Sequence, residues 1–256
     1  MDSPLSALHA SSDRLHDLTA GMDDARLTSP SYCDDWSIAQ VLSHLGSQAE
    51  VFGLWLDAGL SGQDPPDREA FPPIWDAWNS RSPQAQAAAS LQANEALIER
   101  FESLDAGQRE RFRLAMFGMD LDLAGLLRMR LGEHAVHTWD VAVALDPAAT
   151  VAPDAVVLLV DTLGQLAARA GRPDGVKRRV RVSTSSPQRE FLLESGEAVT
   201  LVPFPDDGRD ESLAELRLPA EAFVRLTYGR LDPAHTPAIE AQGVDLAELR
   251  PIFPGF

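Results

Sequence analysis

The stretch CDDWSIAQVLSHLGSQAEVF, residues 33–52, decides how this chain is read. Ser37 followed three residues later by Gln40 is a capping box, so a helix begins at Ser37. From there Ile38, Val41, Leu42, Leu45, Ala49, Phe52 and, beyond the quoted stretch, Leu56 recur at helical spacing and form one apolar face. His44 sits beside that stripe, next to Val41, Leu45 and Gln48.

Three more long helices are expected around this one. Ser3-Pro4 opens the first, because proline suits the first helical position, and Leu5, Leu8, Leu15 and Leu18 line one face as it runs to about Gly21. Another starts near Ser82-Pro83 and continues through Leu91, Ala96, Ile98 and Phe101. The last covers about Leu121 to Leu145, with Pro147 closing it. Gly62 to Pro73 holds four prolines and three acidic residues and reads as a loop. Helices of this length with one or two longer connections predict a four-helix bundle over residues 1–149.

The texture then changes. After DPAATVAPDA (146–155) a helix from about Asp154 to Ala170 is expected, ended by Gly171 and Pro173. Strand patterns follow at Val180–Ser183, Glu190–Leu193, Val199–Val202 and Ala214–Leu218, with Gly196 at a hairpin turn and a helix from Ala220 to Tyr228. Residues 150–256 therefore read as a small α+β domain, and the chain as α+β overall.

Composition narrows the function. Of the 256 residues 45% are apolar and 24% charged, enough for a real core. A net charge of −17 would repel a phosphate backbone, which argues against a nucleic-acid partner. Cys33 is the single cysteine, so an intrachain disulfide and a cysteine-rich zinc site are both excluded. That suits a reducing cytoplasm and gives no sign of a covalent dimer, leaving monomer or homodimer open. The opening MDSPLSALHASSDRLHD lacks the pattern of a signal peptide, and no run reaches the length of a membrane span. A cytoplasmic protein is the expectation.

The chemistry gathers in Glu133-His134-Ala135-Val136-His137. Residues four apart share a helix face, so Glu133 and His137 can point together into the bundle, and Asp140 follows one turn on. A carboxylate and an imidazole suit zinc or a similar divalent ion, and His44 on the second long helix is the natural third ligand. Three protein ligands leave room for water or substrate, the catalytic pattern. Spacing alone leaves a plainer reading open, in which Glu133 and His137 form a surface pair and His44 is a satisfied core histidine. His134 reads as structural, His9 and His16 as a solvated pair on the first helix, and His235 as part of a proline-flanked loop. Asp34 and Asp35 would raise the pKa of Cys33, so that cysteine reads as incidental. Trp36 is expected to pack the helix start rather than touch substrate.

Residues 33–52 and the stretch RLGEHAVHTWDVAVAL (130–145) resemble the two motifs of the mycothiol-dependent maleylpyruvate isomerase family, within the wider DinB-like superfamily. The ending from Leu216, LRLPAEAFVRLTYGRLD and onward, is similar to that family's sterol-carrier-like C-terminal domain. The resemblance implies a divalent ion, with zinc expected, on His44, Glu133 and His137. It also implies mycothiol as thiol cosubstrate, a small electrophile as the other partner, and a catalytic basic residue in the C-terminal domain. Arg230 in YGRLD is the best match for that residue, with Arg217 and Arg225 close by, and Asp140 could orient His137. Arg128 and Arg130 are candidates for gripping mycothiol by position only. A metal-bound thiolate would attack the electrophile, and the product would be either an isomer or a thiol adduct. The alternatives are a non-catalytic binding protein of the same fold and a metal-dependent hydrolase.

Overall fold

The computed structural model describes residues 3–33, 35–205 and 213–255. The chain divides into two compact units, residues 1–150 and 151–256.

The first unit is helical. Its elements are α1 (Pro4–Thr19), α2 (Asp24–Leu27), α3 (Ile38–Ser61), α4 (Pro72–Asn79), α5 (Pro83–Glu102), α6 (Ala106–Arg111), a hairpin of β1 (Leu114–Met116) and β2 (Met119–Leu121), and α7 (Leu123–Leu145). The long helices α1, α3, α5 and α7 make the bundle. Their starts are chemically marked: Ser3, Ser37, Ser82 and Asp122 each cap through the side chain. At α3 the capping box closes both ways, with Gln40 N–H donating to Ser37 Oγ and Ser37 N–H donating to Gln40 Oε1. Gly62 ends α3 at φ 67°, a left-handed turn that glycine adopts without strain. Leu15, Ile38, Val41, Leu42, Leu45 and Val141 are fully buried in one cluster.

Two elements depart from the sequence expectation here. The segment expected to be a loop contains a 3-10 turn at Arg68–Ala70, and Pro72 already begins α4. Helix α4 is held by Trp78, whose ring lies over Gly46 of α3; a β-carbon there would come within 2.2 Å of the ring. Trp78 Nε1–H also donates to Glu50 Oε1 at 2.8 Å. A tertiary fit, not local periodicity, makes this helix.

The second unit is built from α8 (Pro153–Leu159), α9 (Leu163–Ala170), β3 (Arg178–Ser185), β4 (Arg189–Ser195), β5 (Thr200–Pro203), β6 (Ala214–Pro219), α10 (Ala220–Thr227), β7 (Glu240–Gln242) and α11 (Leu246–Leu249). The strands form one mixed sheet in the order β5-β4-β3-β6-β7, with β3 and β6 parallel and the other neighbours antiparallel. The single helix expected over 154–170 is interrupted by a 3-10 turn at Val160–Thr162. There the Thr162 hydroxyl donates to the Leu159 carbonyl at 2.8 Å, a back-bond that competes with the helical ladder. No helix among the described residues is long and apolar enough to cross a membrane.

Candidate metal centre

Helix α3 presents His44 and helix α7 presents Glu133 and His137 to the same spot. His44 Nε2 lies 3.4 Å from Glu133 Oε2, His137 Nε2 lies 3.9 Å from the same oxygen, and the imidazole centroids are 4.5 Å apart. The first is a long hydrogen bond, and the second is beyond hydrogen-bonding distance. Ligand atoms about 2.1 Å from a tetrahedral metal stand roughly 3.4 Å from one another, which the His44–Glu133 separation matches and the His137–Glu133 separation exceeds. One donor atom from each of the three residues falls within 4.8 Å of the others, so the set fits a divalent cation.

Protonation favours the same use. Burial pushes the Glu133 carboxyl up, but the His44 hydrogen bond and the charges of His137, His44 and Arg130 outweigh it and hold its pKa at about 2. Burial, aided by His137, pushes His44 below its ordinary value despite Glu133. At neutral pH the two side chains are an anion and a neutral imidazole, the forms in which each binds a metal.

Asp140 lies behind His137. Its carboxylate is fully buried, and Oδ2 sits 2.8 Å from His137 Nδ1. With Nδ1 engaged as donor, the Nε2 lone pair is left to face Glu133 and His44.

Cys33 and Trp36 stand closer to this centre than their sequence setting implied. The Cys33 thiol donates to Asp140 Oδ2 at 3.1 Å, and Sγ is 3.9 Å from His137 Nδ1. Cys33, His137 and Asp140 thus form a second group with metal-ligand spacing. Hydrogen bonds at 2.8 and 3.1 Å already satisfy that group, which favours the His44–Glu133–His137 set for an ion. Asp34, invoked for the cysteine's pKa, lies outside the described residues, and the carboxylate that meets the thiol is Asp140. Nothing around Cys33 by sequence points across the chain to residue 140. Trp36, expected at the helix start, lays its ring beside both imidazoles, with centroids 5.3 Å from His44 and 6.4 Å from His137.

The remaining candidates are placed elsewhere. His134 is fully buried, with Nδ1 2.9 Å from Ser11 Oγ. His9 is exposed and faces Asp13. In the second unit His235 Nδ1 meets Asp232 Oδ2 at 2.8 Å. Arg130 is fully buried one turn before Glu133, and its guanidinium donates to the Leu45 carbonyl and to Asn94 Oδ1. That anchoring makes Arg130 part of the bundle frame rather than a free handle for a sugar. Arg230 follows α10 in the second unit, 8% exposed, and donates to the Tyr228 carbonyl at 2.9 Å. Arg225 pairs with Glu221 inside α10, and Arg217 with Glu215 on β6.

Residues 8–142, just over half the chain, match the mycothiol maleylpyruvate isomerase N-terminal domain. The chain belongs to that family. Among solved structures it is similar to a crystal structure of the mycothiol-dependent maleylpyruvate isomerase, at 15% identity and a TM-score of 0.66, over 93% of this chain and 91% of that one. A mutant of that isomerase gives 15% identity and a TM-score of 0.65, over 89% and 88% of the two chains. Identity this low carries the fold and not the reaction. No curated protein sequence matches.

Proposed function

We propose that this chain is a metal-dependent enzyme that uses mycothiol to attack a small electrophile, acting as an S-transferase or a cis-trans isomerase. The observation that carries the reading is the convergence of His44 Nε2, Glu133 Oε2 and His137 Nε2 on one spot, with Asp140 fixing the tautomer of His137 from behind. A divalent ion held there would supply a Lewis acid that keeps a bound thiol deprotonated at neutral pH.

The chain's own groups do the rest. Glu133 contributes one negative charge and the two imidazoles contribute nitrogen donors, so one anionic partner can join them without crowding the site with charge. Three ligands from two helices leave the side away from the helix axes open to that partner. The frame is rigid because both helices are buried along their facing stripes. Arg230 is our proposed contact for a substrate carboxylate, on the family resemblance. Zinc is the proposed ion and the cytoplasm the proposed location.

The test pairs elemental analysis with a thiol assay. The purified protein should carry about one divalent ion per chain and consume an electrophile only when mycothiol is present. Turnover of an ester or amide without thiol would replace this reading with that of a hydrolase. Absence of ion uptake after reconstitution would leave a binding protein of the same fold.

A further inference from the structure

Trp36 is 36% exposed, yet its backbone is tightly held. Its N–H donates to the Cys33 carbonyl at 3.1 Å, and its carbonyl accepts from the Ser31 N–H and the Ser31 hydroxyl, both at 2.9 Å. Pro30 and Ser37 form a bridge around it. The residue just before it, Asp35, sits at φ 64°, in the left-handed region that costs a non-glycine residue free energy. So the chain spends strain and several hydrogen bonds to hold an indole half out in water. A hydrophobic core gains little from that. The gain lies in where the ring is aimed: 22° from parallel with the His137 imidazole and tilted 48° over that of His44. A molecule reaching the metal-ligand atoms from that side meets the indole face.

We propose that Trp36 is a specificity-determining wall of this centre, which packs against a flat, unsaturated group on the molecule held beside His44 and His137. The inference rests on the metal reading above. An indole face gains most from another planar π-system set parallel or edge-on, and less from a puckered aliphatic group of the same size. The wall therefore selects for shape next to the donor atom, and the substrate class it predicts is an electrophile or thiol whose reacting end is planar.

The test uses the whole chain loaded with cobalt(II), whose sulfur-to-metal absorption band reports thiol binding directly. Two probes of similar bulk, phenylmethanethiol and cyclohexylmethanethiol, differ in flatness, and each is compared with itself between variants so that their difference in acidity cancels. Trp36→Ala should weaken the first by about three- to tenfold and leave the second within about twofold, while Trp36→Phe keeps most of the preference. Circular dichroism and cobalt content verify that each variant is folded and loaded; Trp36→Leu, which fills space without a flat face and should weaken the first probe alone, carries the test if the alanine variant is not. Equal weakening of both probes, or none, would overturn the wall. A wild-type chain that takes up no cobalt fails at the metal reading, and the inference goes with it.

Discussion

Asp140 Oδ2 and His137 Nδ1 stand 2.8 Å apart inside helix α7, with the carboxylate wholly buried. The pair makes His137 a one-sided ligand, since one nitrogen is committed to the protein. Asp140→Asn keeps the shape and removes the charge. Metal affinity should fall by about ten- to a hundredfold, measured by competition with a chromogenic chelator, while the far-ultraviolet spectrum stays native. Unchanged affinity would show that Asp140 serves packing only.

His44→Ala removes the donor supplied by α3. The expected result is loss of the bound ion on elemental analysis, with the bundle still folded. Retention of a full equivalent would move the centre to the other group with suitable spacing, Cys33, His137 and Asp140.

Acid should loosen the metal-free protein before any carboxylate titrates. Burial holds His134 well below its ordinary value of 6.5, with the charges of Arg130, His137 and Arg14 acting in the same direction. The unfolded chain therefore binds a proton near pH 6.5 that the folded chain refuses, and stability present above that pH is lost as pH falls. His44 acts in the same sense. Glu133 is held low, so its own contribution stays intact down to the ordinary carboxylate range near 4.5 and disappears towards about 2. Denaturation in urea between pH 6.5 and 5.0 should thus show a falling free energy that is shallower in His134→Gln. A slope the same in both would remove His134 from the account.

Gly46→Ala tests how α4 is attached. Alanine favours a helix over glycine by about 1 kcal/mol, but the new methyl would lie 2.2 Å from the Trp78 ring. Overpacking costs about 1–3 kcal/mol, so the balance should be a net loss of up to about 2 kcal/mol in chemical denaturation. A stabilised variant would mean that Trp78 moves aside freely.

The long elements were legible because each carries its own signal. Ser37 with Gln40, Ser82 with Pro83, and the apolar spacing from Ile38 to Leu56 announce helices whatever they pack against. The alternating runs near Val180 and Leu216 do the same for strands. The short elements α2, α4 and β1 show no clear period of their own and owe their form to neighbours, as α4 does to Gly46 under Trp78. The site divides in the same way. Glu133 and His137 share a face by helical geometry alone, but the link from Cys33 to Asp140 spans 107 residues and has no local trace. Trp36 stands eight residues before His44 in sequence, and the turn at Asp35 brings its indole beside both imidazoles, a placement with no local trace.

The 89-residue separation of His44 and Glu133 also sets an order of events. A chain emerging from the ribosome displays α3 long before it has made α7, and during that interval it offers a single imidazole to the ion. Capture at the proposed centre would await closure of the bundle, so an ion there would work as a clasp fastened after assembly and not as a seed for it. Stripping it from the finished protein should leave the fold standing and lower the temperature at which the helices part.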